Sequence, residues 1–239
     1  MKLQILIVVS LASLASACAP VMDAAVQTAR TGFLGDSPAV DASRFNPNIH
    51  YLRVTVDKQV AFLALGFIDN DSHGRVEVWY SGDRQTLRIQ NGRIAGAAGV
   101  PTEWRSVELP DFPLWSTIAQ SKDPYRWVRV RDVMPGYRYG VRDELMVRMI
   151  PMPEKTALVN FDGKYLTWFE EQFQAGVPRK SSWFPLTAPD DRVLPPARYG
   201  VDMRDGGDTV AYAEQCLSPD YCLTWQRWDF HMKPQADPR

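Results

Sequence analysis

The sequence predicts a mainly β protein, an antiparallel sandwich or barrel-like arrangement of sheets with one or two short helices. Three observations lead there. From His50 onward apolar residues recur with a period of two, as in YLRVTVD and RVEVWYS, which is the pattern of a strand with distinct faces. The pairs Asn91-Gly92 and Asp162-Gly163 each separate two such runs, and this residue type suits the positive φ angles of a tight hairpin. Strand signals also recur every 8 to 12 residues or so with little helical periodicity between them, a spacing found in sandwiches and barrels.

The elements follow in order. YLRVTVD and QVAFLALGF flank a turn at Asp57-Lys58, and RVEVWYS places Val76, Val78 and Tyr80 on one face with Arg75, Glu77 and Trp79 on the other. TLRIQ and RIAGA form a hairpin about Asn91-Gly92. Pro110, Pro113 and Pro124 interrupt the middle of the chain, leaving Leu114 to Gln120 as a short helix. RWVRVRDV and YRYGVRDELMVRMI return to alternation with Arg126, Arg129, Arg131, Arg138, Arg142 and Arg148 interleaved; a sheet with one solvated face accounts for these arginines. TALVNF and KYLTWFEEQF predict a second hairpin about Asp162-Gly163, and KSSWFPL a further strand. PMPEK and LTAPDDRVLPPARYG read as loops, KPQADPR as a frayed tail.

The leader has a different composition. Lys2 precedes an apolar run from Leu3 to Leu14 and then small residues, the layout of a secretory signal. Extended to Ala19, that run makes a helix of about 25 Å, short of the ~30 Å bilayer core. Ala15-Ser16-Ala17-Cys18 looks like a bacterial lipobox, with Ala15 where Leu is more usual. In that reading Cys18 receives lipid and becomes the mature N-terminus. The alternative is an ordinary A-x-A cleavage site followed by a free thiol. Cysteine arithmetic favours lipid: of three cysteines, Cys18 taken by lipid leaves Cys216 and Cys222 to pair, as an oxidising compartment permits. Closing that short loop contributes about 2 to 3 kcal/mol. A metal site would need more ligands than these two and the distant His231.

The organisation expected is a signal over 1–17, a lipidated N-terminus with short helix and linker over 18–48, one β-rich domain over 49–232, and a tail over 233–239. The formal net charge is -1, which recruits neither nucleic acid nor acidic lipid. His50, His73 and His231 stand in no ligand spacing, and G-x-S-x-G, P-loop and G-x-G-x-x-G motifs are absent. No metal, cofactor or catalytic residue is therefore expected. Glycoside hydrolysis needs two carboxyl groups about 5 to 9.5 Å apart. Adjacent Glu170 and Glu171 on a strand point to opposite faces, Asp190 and Asp191 lie in a loop, and Asp69 and Asp71 suit local turn hydrogen bonding. Sugar or partner contact through aromatic faces has a better physical basis. Trp79, Tyr137 and Tyr139 are the candidates, the two tyrosines on one side of a strand with Arg138 on the other; Trp115, Trp127, Trp168 and Trp183 are less well placed. Core burial is the competing role for each.

NPNIHYLRV, VAFLALGFID and above all GRVEVWYSGDRQTLRIQNGRI, following a lipobox, resemble the YjbF family of bacterial lipoproteins. The likeness runs from about Val21 to the Cys216 and Cys222 region and is most specific over Glu77 to Ile94. The family's turn more often reads Ser-x-Asp-Gly, so Asp83-Arg84 departs from it and lengthens that hairpin. The resemblance implies an outer-membrane lipoprotein of mostly β structure serving export or assembly of a capsule or exopolysaccharide, with no catalytic residues to carry over. Ala19 after the cysteine agrees with the usual outer-membrane sorting of such proteins. The function expected is a non-catalytic accessory that binds the polysaccharide or its secretion proteins. Two alternatives remain: a periplasmic glycan-modifying hydrolase or lyase, marked by a polar cleft, and an adaptor for protein partners alone, marked by a flat apolar patch.

Overall fold

The structure, a computed structural model, describes residues 45–71, 74–174 and 193–228. These form twelve antiparallel strands in a closed barrel: β1 (Tyr51–Val56), β2 (Gln59–Asp71), β3 (Gly74–Tyr80), β4 (Thr86–Gln90), β5 (Arg93–Ala98), β6 (Glu103–Glu108), β7 (Tyr125–Met134), β8 (Arg138–Ile150), β9 (Thr167–Phe173), β10 (Ala197–Asp202), β11 (Thr209–Ser218) and β12 (Tyr221–Trp228). Each strand pairs with its neighbours in sequence, and β1 pairs with β12, Tyr51 opposite Trp228 and Val56 opposite Leu223, to close the ring. Of the two architectures expected, the barrel is the one formed. The expected N-terminal helix, the strand KSSWFPL and the tail lie outside the described residues, as do Cys18, His73, His231, Asp190, Asp191 and Trp183.

The local chemistry of the turns explains much of this. Asn91 (φ 48) and Gly92 (φ 80) take the positive φ angles that the hairpin between β4 and β5 requires. The connection between β3 and β4 is a longer loop in which Arg84 has φ 64 and Ser81 N donates to Gln85 O at 3.0 Å. The single α-helix among the described residues, α1 (Trp115–Gln120), starts where Pro110 and Pro113 end the preceding strand. Its first amides, from Trp115 and Ser116, donate to the Asp208 carboxylate at 2.8 and 2.9 Å. The hairpin expected about Asp162-Gly163 does not form. Asp162 instead accepts from Lys164 N and caps a 3-10 turn, Gly163–Tyr165, so only Thr167–Phe173 continues as strand. Residues 151–166 lie along the outer wall, where Val159 exchanges two hydrogen bonds with Gln226 and Ala157 N donates to Tyr212 Oη at 2.9 Å.

The interior is filled. One apolar cluster joins Leu52 of β1, Trp79 of β3, Trp104 of β6, Val147 of β8, Tyr199 of β10 and Trp225 of β12, so opposite walls meet. Strand β5 is buried along nearly its whole length, with Ile94 in this cluster and Ala95 in a second one with Val76 and Trp127. It shares only the Ala97–Trp104 pair with β6, and its tip reaches β11 across the interior. There Gln215 acts as a surrogate backbone, accepting from Ile94 N at 3.0 Å and donating to Gly92 O at 3.0 Å. A Cβ on Gly92 would stand 2.3 Å from a Val210 methyl, so glycine is required there for space as well as for φ.

Candidate functional site

Three polar assemblies stand out, two inside the barrel and one on its rim. In the first, Glu171 of β9 faces inward and accepts from Arg93 Nε at 2.9 Å, Trp127 Nε1 at 3.1 Å and Tyr199 Oη at 3.2 Å. Burial pushes the Tyr199 phenol well above its ordinary value, and the neighbouring Glu171 charge adds to the effect; the phenol therefore stays a donor. The Arg93 guanidinium lies 3.5 Å from the Phe112 ring centroid, 4.3 Å from Trp115 and 5.1 Å from both Trp127 and Tyr199. This aromatic cage supplies cation–π attraction where Arg93 Nη2 lacks a hydrogen-bond acceptor.

In the second assembly one carboxylate holds two arginines. Asp143 of β8 accepts from Arg129 Nε at 2.9 Å and from Arg131 Nε and Nη2 at 2.6 and 3.2 Å, while both guanidinium groups lie within 5 Å of the Trp104 ring centroid. Burial lowers the Arg131 pKa, and the Asp143 hydrogen bond opposes the shift. Arg129 and Arg131 thus correct the expectation that the arginines of β7 and β8 are solvated. They face inward because β7 pairs Arg129 directly with Asp143, and that match offsets their desolvation. Arg126, Arg142 and Arg148 meet the expectation and sit on the exposed or half-exposed surface.

A small pocket beside these groups is lined by residues including Trp104, Arg129, Glu171, Phe173, Leu194 and Gln215. Glu171 is its single carboxylate, and that group is already engaged by three donors. The paired carboxyl geometry of a glycosidase is not assembled there. Glu170 points outward as adjacency on a strand demands, and joins Arg148 and Arg198. Among the described residues no group of three or more His, Cys, Asp or Glu could hold a metal ion.

The third assembly is the turn between β7 and β8. It follows a cis Met134–Pro135 bond, with positive φ at Gly136 and Tyr137. Gly140 N donates to Asp132 Oδ1 at 2.8 Å and ties the base of the hairpin. Tyr137 and Tyr139 are 74% and 66% exposed, the two most exposed large apolar side chains among the described residues. Tyr137 belongs to the turn rather than to β8, which begins at Arg138, so the two rings share a hairpin and not one strand face. Trp79 is corrected as a surface candidate: it is 1% exposed. Alternation placed it opposite Val76 and Val78, yet β3 buries both faces. Trp115, Trp127 and Trp168 are buried too. Cys216 and Cys222 form a disulfide across the directly paired strands β11 and β12. The buried Arg93 cage left no mark in the sequence, because RIAGA reads as an ordinary strand and its aromatic partners come from distant segments.

Comparison with protein families finds that residues 42–178 match the model for the group 4 capsule polysaccharide lipoprotein GfcB, YjbF. The chain belongs to the YjbF family. Membership makes it a capsule-related envelope lipoprotein by family. Among solved structures, the hypothetical lipoprotein YmcC from Escherichia coli (K12) is similar, with a TM-score of 0.52 and 19% identity over 84% of this chain and 94% of that one. At that identity the likeness shows a shared fold. A comparison with curated proteins finds no match. The YjbF match covers β1 to β9, including Arg93, Arg129, Arg131, Asp143, Glu171 and the tyrosine hairpin.

Proposed function

We propose that this protein is a lipid-anchored accessory of capsule or exopolysaccharide assembly, held through Cys18 at the periplasmic face of the outer membrane. It acts by binding the polysaccharide or its secretion proteins. The observation that carries this reading is the YjbF match over residues 42–178, joined to the lipobox at Cys18.

The polarity of the barrel supports anchoring rather than spanning. A transmembrane barrel presents an apolar band to lipid and a polar interior. Here aromatic and aliphatic side chains pack the interior around the closed Arg93–Glu171 and Arg129–Arg131–Asp143 assemblies. On the outer wall Arg148, Glu170, Arg198 and Glu214 form a charged ladder across β8, β9, β10 and β11, with contacts of 3.4, 3.7 and 3.5 Å. Such a ladder in hydrocarbon would be costly. No helix among the described residues is long and apolar enough to cross a membrane.

Among the described residues the filled interior leaves no conduit for a polymer, so recognition falls to the surface, at Tyr137 and Tyr139. Exposed phenols on a tied hairpin offer flat apolar faces with polar tips, a surface suited to sugar rings. The first test is intact and peptide mass spectrometry of membrane-extracted protein beside Cys18→Ser. A chain beginning at lipidated Cys18 supports the anchor; a soluble chain with a free Cys18 thiol refutes it. The second test compares capture of purified capsule or exopolysaccharide by wild type and by Tyr137→Ala/Tyr139→Ala. The expected outcome is at least roughly tenfold weaker capture with an unchanged melting curve, since exposed substitutions rarely alter stability by more than about 0.5 kcal/mol. Undiminished capture removes the hairpin from the mechanism.

A further inference from the structure

The two ends of the barrel differ chemically. Because every strand runs opposite to the next, the connections after even-numbered strands share one end and those after odd-numbered strands the other. The first end carries α1, between β6 and β7, and the place where residue 45 enters the fold ahead of β1. Phe45 packs there on Tyr51 and Phe62, with ring centroids 4.9 and 4.8 Å apart. Exposed apolar side chains without a polar tip at this end are Leu114 at 62%, Met149 at 54% and Met152 at 48%; Phe67 and Ile68 lie on the wall of β2 opposite Val78 and Glu77, and Val193, at 41%, lies on the connection from β9 to β10 at the other end. Met149 and Met152 sit at the end of β8 and just past it, and Leu114 sits beside α1 between β6 and β7, so the three line one arc of the rim. The other end carries the exposed Tyr137 and Tyr139.

We infer that the α1 end rests on the bilayer surface, with Leu114 and Met149 in the headgroup region and the tyrosine hairpin pointing away from the membrane. This inference rests on lipid anchoring through Cys18. The occupant of the apolar rim is the lipid interface itself, because residues 19–44 connect the proposed anchor to the fold at this end. A surface-lying protein element buries apolar side chains about 5 to 10 Å into the boundary between headgroups and acyl chains. Met149, one residue from the end of β8, is exposed although its register partner Phe169 is fully buried against Trp115. That is the position of a side chain projecting past the wall of a barrel. From Tyr139 to Ile150 strand β8 covers roughly 35 Å, or about 25 to 30 Å along the barrel axis at ordinary tilt. The hairpin therefore stands well clear of the lipid, where a polysaccharide or secretion protein reaches it.

The test uses the full lipidated chain in vesicles, with a bimane label on Leu114→Cys, Met149→Cys or Tyr139→Cys in turn, and lipids brominated on the acyl chain as quencher. With Cys18 lipidated and Cys216 joined to Cys222, the new thiol is the one available for labelling. Flotation with the vesicles reports the anchor independently. The expected result is loss of about half of the emission or more at positions 114 and 149, and none at 139, given the insertion depth above. Quenching at 139 alone, at all three positions alike, or at none of them while the protein still floats, overturns the orientation and leaves the anchor standing. Failure of the wild-type lipidated chain to float removes the anchor, and the orientation falls with it.

Discussion

Replacing Glu171 by Leu tests how the barrel interior is held. In the native protein this carboxylate accepts from Arg93, Trp127 and Tyr199, and the Arg93 and Glu171 side chains are each 2% exposed. Removing the acid leaves a buried guanidinium with aromatic rings for company and no counter-charge, which costs about 3 to 5 kcal/mol. The double variant Arg93→Met/Glu171→Leu removes the charge and keeps a flexible apolar side chain inside the Phe112 and Trp115 cage. It retains the cost of two orphaned donors, lessened because Tyr199 Oη also reaches Gln215 Oε1 at 3.4 Å. The double variant should therefore lie roughly 1 to 3 kcal/mol below wild type, closer to it than the Glu171→Leu single. Denaturant unfolding of a Cys18→Ser protein, followed by tryptophan fluorescence and circular dichroism, measures all four corners of the cycle. For a domain of this size the single variant also melts roughly 6 to 20 °C lower. The expected coupling is at least ~1.5 kcal/mol; additive single effects would sink the claim that Arg93 and Glu171 act as a unit.

Other outcomes follow from the same geometry. Gly92→Ala should destabilise by about 2 to 4 kcal/mol, since it combines a φ of +80 with a clash against Val210; Gly140→Ala, with a φ of +60 and nothing within 4 Å, should cost only about 1 kcal/mol. Equal losses in the two melting curves would contradict the packing argument. The Tyr199 and Tyr212 phenols are both raised above 10.0, chiefly by burial. Their contribution is intact below pH ~10 and falls as pH rises above it, because the unfolded chain then ionises first, by about 1.4 kcal/mol per pH unit for each group. Tyr199→Phe and Tyr212→Phe should each flatten the alkaline limb of a stability profile, and an unchanged slope would show that these phenols ionise while folded. Cys216→Ala/Cys222→Ala should lower stability by about 2 to 3 kcal/mol from loop closure, read as a shift of the denaturant midpoint.

The legible parts of the sequence were those where local chemistry decides. Asn91-Gly92 marked its hairpin because few other pairs tolerate two positive φ angles, and the prolines bracketed α1. Alternation identified β1 to β4, β7 and β8. The same rule misplaced Trp79, Arg129 and Arg131, since it assumes one wet face and one dry face, whereas β3 and β5 are dry on both. Arg129 and Arg131 are inside because Asp143 stands directly opposite Arg129 on β8 and within hydrogen-bond reach of Arg131, which no local window reports. Asp162-Gly163 resembled a hairpin yet serves as a cap, the Asp side chain taking Lys164 N where a second strand would have continued. Within the site, the exposed tyrosines followed from the Pro-Gly turn that carries them, while the Arg93 cage depends on packing among Phe112, Trp115, Trp127 and Tyr199.

The pairing of β1 with β12 sets the order in which the barrel can be completed. Of the twelve described strands, β1 is the first to emerge when the chain is delivered N-terminus first, and its second partner, β12, is the last. Until then one side of β1 offers unpaired amides and carbonyls to any passing strand, an exposure that invites mispairing. The β1–β2 hairpin can form early, yet the seam waits for β12, and contacts of such sequence separation slow folding. A chain cut short before Tyr221 would keep eleven strands and lose its closure. Growth from the N-terminus thus makes the C-terminal strand the one that converts a curved sheet with two open margins into a ring with none.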